Sequence, residues 1–225
     1  MTHEMMGPMI FGLPFEIAVM FGSGVFYLIC AAIIWKPFRQ EKNELIGALF
    51  AFLIYQALAM LFMGLEMKTH NMIYSNIGSL AVFLGSVYML KFPFSSFSER
   101  TRKVLFMLSL LIVLGIFAYF VADPVREMGL MHFTILYDIY VNGIIVGYFM
   151  IVVGIRAIES WLKIKAVGGG AGVATCCIAA NAAMIFGQMT LFSIFAFLAP
   201  VIIVGSIIIG RKKQQIQVPA ATVLA

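Results

Sequence analysis

Asp138 and Asn142 stand one helical turn apart inside an apolar stretch, Leu130 to Ile155, which reads LMHFTILYDIYVNGIIVGYFMIVVGI. Thr134 precedes Asp138 at the same spacing, so the three share a helix face. An ionised carboxylate in hydrocarbon is costly and normally looks toward a bundle interior, a partner or water. At about 1.5 Å per residue, Asp138 lies ~12 Å inside the boundary near Leu130. Two chemistries suit it. One is a hydrogen bond between helices that only fixes packing. The other is a site for a small ligand, an ion or a proton. The carboxylate costs more than an amide, so the functional reading rests on Asp138. Asn142 alone reads as packing.

Other polar residues fall toward the same half of the chain's apolar segments. Glu16 opens the first segment, Glu66 closes the second, Asn76 starts the third, and Asn181 and Gln188 end the sixth. Gln56 lies nearer the middle of the second. If these faces converge, Asp138, Asn142, Asn181, Gln56, Asn76, Glu66 and Glu16 line an outward pocket between helices, a usual place for a small ligand. The alternative buries only Gln56, Asp138, Asn142 and Asn181 and leaves the terminal residues among headgroups.

A second constellation is soft. His3, His70 and His132, with twelve of the sixteen methionines, fall on the outer side. Thioether and imidazole suit a soft cation such as Cu(I), and the set that could hold one is His132, Met63, Met67 and Met131. Methionine is equally a filler of apolar cores. Cys30, Cys176 and Cys177 lie in apolar runs without CxxC spacing and read as small buried residues. No HExxH, GxSxG or P-loop motif is present, and the seventh segment has no lysine for a retinal Schiff base. A non-enzymatic protein without a cofactor is expected.

The elements that must position these residues follow from composition. Of 225 residues, 63% are hydrophobic and 11% charged, with mean hydropathy +1.04. A soluble domain carries about 25% charged residues, so the lipid bilayer is the expected surround. Net charge is +5, but the cations are not clustered on one soluble element, which argues against nucleic acid. Seven segments have the length of a membrane crossing: Phe15–Trp35, Glu44–Met67, Met72–Leu90, Val104–Ala122, Leu130–Ile155, Gly168–Phe186 and Met189–Gly210. Thirteen of the fifteen Lys and Arg fall in the first, third and fifth linkers and the tail. Positive charge prefers the cytoplasmic side. The expected fold is therefore all-α with seven transmembrane helices, N-terminus outside and C-terminus inside, multi-pass in the cytoplasmic membrane. Residues 1–210 form one domain, and 211–225 are expected to be a disordered cytoplasmic tail. The N-terminus lacks the positive start of a secretory signal, so the first helix is expected to stay.

Local signals add detail. The run VGGGAGVATCCIAANAA in the sixth segment is almost all small residues, which let backbones approach in lipid. Gly168 and Gly172 form one GxxxG, and Gly143 and Gly147 another. A tightly packed central helix is expected; a hinge or an oligomer contact is the alternative. Pro200 is expected to kink the seventh helix. Ala157–Lys165 either prolongs the fifth helix or lies along the inner surface. KFPFSSFSER ends the third helix and makes a cytoplasmic loop that could dock a partner protein.

The outside N-terminus, the basic linker KPFRQEKNE and a second helix closing in Gly64–Glu66 resemble the seven-helix membrane sensor regions of prokaryotic histidine kinases. No output domain is expected after the seventh helix. The resemblance implies a stand-alone sensor or the partner of a separate output protein. A second likeness is to small sugar transporters of three-plus-one-plus-three helices, whose halves are parallel repeats; their proline pattern is missing. The expectations are therefore a receptor or sensor with a polar pocket around Asp138, a solute, proton or metal-ion transporter using the same acid, or a packing subunit of a larger membrane complex.

Overall fold

The structure, a computed structural model, describes residues 8–41 and 43–222, with the side chains of 124, 128 and 217–222 left out. His3, Lys42 and Met1, Met5 and Met6 lie outside the described residues. Among those described, seven helices are long and apolar enough to cross a membrane: Phe15–Glu41, Glu44–Thr69, Met72–Phe94, Glu99–Val121, Val125–Arg156, Ser160–Ile185 and Met189–Ile216. The chain is all-α in its body and has the make-up of a multi-pass membrane protein.

Helix starts are written in short polar side chains. Asn43 accepts from the Leu45 amide at 2.8 Å, Asn71 from Ile73 at 3.0 Å, and Asp123 from Val125 at 2.9 Å. Each satisfies a first-turn N–H that no helical carbonyl can reach. Ahead of the first span, Met9–Ile10 and Leu13–Pro14 pair as a small antiparallel hairpin. Its turn needs positive φ at Phe11 and Gly12, the geometry that two-residue hairpin turns favour.

Consecutive spans pack side by side, and the first meets the seventh while the third meets the fifth. One large apolar cluster lies among the first, second, fifth, sixth and seventh spans, with Tyr27, Leu49, Phe52, Val146 and Ile203 at its heart. A smaller one, built on Phe83, Val87, Val113 and Leu130, joins the third, fourth and fifth. The fourth span is peripheral: Val113 is its one buried residue.

The sixth span packs closely through its small residues, but the central place expected of it belongs to the second, 67% buried against 44% for the sixth. A Cβ at Gly168 would meet Ser206 at 2.3 Å, and one at Gly172 would meet Ile203 at 2.5 Å, so both glycines face the seventh span. Gly170 faces the fifth span, where an added Cβ would meet the Gly147 carbonyl at 2.6 Å, and Gly169 faces Leu49 of the second. With lipid tails as apolar as the side chains, such close approach is the main attraction between spans.

Three expectations need correction. Ala157–Lys165 neither prolongs the fifth helix nor lies flat: Ala157 and Glu159 are extended, and a new helix starts at Ser160. The last helix does not end at Gly210 but continues to Thr222, through both Pro200 and Arg211. The expected disordered tail is helical there, because the preceding turns extend it and Arg211 and Gln214 bond across to other spans. The fifth and sixth helices are also not regular: Asp138–Gly147 and Thr175–Ala180 are π-helical. These wide turns face each other.

Candidate functional site

Asp138 opens the wide turns of the fifth span and is buried, 4% exposed. Three amides from three spans converge on it. Gln56 of the second span donates from Nε2 to both carboxylate oxygens at 3.3 Å. Asn142, one turn along, donates from Nδ2 to Oδ1 at 2.6 Å. Asn181 of the sixth span donates to Oδ2 at 2.8 Å. Asn142 Nδ2 also donates to Ser86 Oγ of the third span at 2.8 Å, so the network ties four spans. Among the described residues no cation pairs with Asp138. Cys177 of the sixth span also hydrogen-bonds to the carboxyl. All of these partners are neutral, so the site holds one acid and no built-in counter-charge. Asn142 Oδ1 is buried with no hydrogen-bond partner among the described residues, an arrangement that costs about 1–3 kcal/mol unless a ligand or water meets it.

Beside the carboxyl is a cavity of about 30 Å³, room for about one or two waters. Gln56, Thr134, Asp138 and Asn181 supply its polar wall, and Met20, Met60, Met63 and Met184 much of the rest. An organic ligand needs ~300 Å³ or more, so the space suits water, a proton relay or a small ion.

The wide pocket drawn from seven residues is thereby narrowed. Gln56, Asp138, Asn142 and Asn181 come together. Glu16 is exposed at the start of the first span, Glu66 is half-buried at the end of the second, and neither lines the cavity. Asn76 turns instead to Glu127, to whose carboxylate it donates a short hydrogen bond. Residues at helix ends reach headgroup level and partner there, whereas mid-span polar groups have only one another. Of the soft-cation set, only Met63 lines the cavity; His132 is exposed, and Met67 and Met131 stand outside the lining. The lining methionines Met20, Met60 and Met184 were not in that set, because their convergence depends on the packing of three spans. All three cysteines are free and buried, and Cys176 accepts from the Tyr27 hydroxyl at 3.0 Å.

A second buried charge was missed. Lys165 is wholly buried near the start of the sixth span. Its Nζ donates to Glu41 at 2.6 Å and to the Gln214 side-chain carbonyl at 3.0 Å, and lies 4.9 Å from the Trp161 ring centre. Arg211 approaches the other oxygen of Glu41 at 3.8 Å. The cluster joins the ends of the first, sixth and seventh spans. Gly210 makes room for it, since a Cβ there would sit 2.5 Å from Lys165 Cγ. In sequence Lys165 is one more cation in a basic linker; only the helix start at Ser160 carries it inside.

Set against known proteins, the chain matches no family model, no curated protein and no solved structure.

Proposed function

We propose that the protein is a non-enzymatic membrane sensor whose ligand at Asp138 is a proton or a small cation. One observation carries this: a buried acid held by three neutral amides, without a counter-ion, beside a cavity only large enough for water or an ion. The charge distribution supports an orientation with the N-terminus outside and the basic ends of the spans in the cytoplasm. Neutralising Asp138 changes what its neighbours must do. An ionised carboxylate accepts from all three amides; a protonated carboxyl also offers a donor, so one amide has to turn its oxygen inward. Asn181 passes that turn to the sixth span, whose other end carries Lys165 and its links to the first and seventh. The likeness to kinase sensor regions points the same way.

A carrier is the second reading. The two π-helical turns that meet at the site favour it, since carriers build ion sites near the midplane from irregular helices.

Reconstitution in liposomes separates the two. The sensor reading expects no proton, sodium or copper(I) flux. It also expects a pH- or cation-dependent change in hydrogen exchange along the sixth span, lost in Asp138→Asn. Flux that vanishes in Asp138→Asn makes the protein a carrier. An exchange pattern indifferent to pH, cations and Asp138→Asn removes the sensor reading.

A further inference from the structure

The basic ends of the first four spans enclose two grooves that the Asp138 site does not use. One, about 470 Å³, lies among the first three spans. The other, about 310 Å³, opens between the second, third and fourth. They share Glu44 and Lys91, so they lie side by side and together make one basic recess. Arg39, Lys91, Arg102 and Lys103 line it, against Glu44 as the single lining carboxylate. Arg102 is taken by Glu44 at 2.7 Å and Lys103 by Glu99 at 2.7 Å. Lys91 and Arg39 are held differently. Lys91 Nζ rests between the rings of Tyr88, at 4.0 Å, and Phe106, at 4.6 Å, and the Arg39 guanidinium lies 5.8 Å from the Trp35 ring. Aromatic faces orient a cation without neutralising it, which leaves both free to take an anion.

We propose that this recess binds the phosphate headgroup of an anionic phospholipid. A phosphate suits several cations at once, one of them a guanidinium. A lipid, in preference to a free phosphate, is indicated by what flanks the recess. Trp35 is 46% exposed on the first span, as interfacial aromatics are. Below the recess the fourth span presents Val104, Met107, Leu108 and Leu111 outward, an apolar surface along which acyl chains run. Basic pockets between spans are a recognised place for anionic headgroups.

The chain contains two tryptophans, so Trp161→Phe leaves Trp35 as the sole reporter beside the recess. The full-length Trp161→Phe protein is placed in phosphatidylcholine vesicles containing a small fraction of brominated lipid, either phosphatidylglycerol or phosphatidylcholine. The proposal expects stronger quenching of Trp35 by the anionic lipid. Each of Lys91→Gln and Arg39→Gln should weaken that preference about fivefold, while Lys91→Arg keeps it. Unaltered elution and helix content show that the variants fold. Equal quenching by both lipids, or a preference that survives both glutamine substitutions, overturns the proposal. Loss of the preference on adding inorganic phosphate at constant ionic strength assigns the recess to a soluble anion and overturns the lipid assignment.

Discussion

Asp138 and Lys165 are both buried charges in helical spans, yet they are treated in opposite ways. Lys165 meets a carboxylate, an amide carbonyl and an indole face, so its charge is matched where it sits. Asp138 meets three amide N–H donors and no cation. A matched pair between three helix ends holds them together and has nothing further to acquire. An unmatched acid beside a small cavity keeps room for a proton or a cation, on which the proposed function rests. The contrast separates a matched fastening from an acid without a counter-charge, although both look alike as charged residues in an apolar protein.

That contrast can be broken by substitution. The largest effect belongs to the fastening. Lys165→Met leaves Glu41 without its main partner, and thermal unfolding in detergent should show a loss of about 3 kcal/mol. The double variant Lys165→Met with Glu41→Gln should recover most of it, since the stranded charge is gone. Full stability in the single variant would show that Arg211 alone balances Glu41. Next comes the helix that connects the two regions. Gly170→Ala forces a methyl against the Gly147 carbonyl and should cost about 1–3 kcal/mol, read in the same assay. Asp138→Asn is predicted to change stability by only about 1 kcal/mol, because shape and most hydrogen bonds survive, while the pH- or cation-linked exchange response disappears. A drop as large as that of Lys165→Met would instead make Asp138 a fastening too. The smallest effect is at the periphery: Leu111→Ala, on the outward face of the fourth span, should stay within about 0.5 kcal/mol.

Much of this was legible beforehand. The seven spans, the inward face shared by Asp138 and Asn142, the burial of Gln56, and the close packing of the glycine-rich helix all follow from polarity and residue size, whereas Asn181 is only partly buried. Asn76 was misplaced because its partner, Glu127, is 51 residues away and sits at a helix end that sequence pattern does not orient. Lys165 was misplaced because cations near a helix end read alike whether they snorkel outward or turn in. The π-helical turns carry no composition signal of their own; they are set by how the fifth and sixth spans meet.

The chain's own order of residues determined the spans and their alternating charge. Hydrocarbon demands about 20 apolar residues per crossing and an internal partner for every backbone N–H and C=O, and both are local requirements. Tertiary structure alone decided which polar groups meet. Gln56 and Asn181 lie 82 and 43 positions from Asp138, and Glu41 lies 124 from Lys165. Their pairing depends on the rotation and depth of packed helices, which glycine contacts between spans set and no single span encodes.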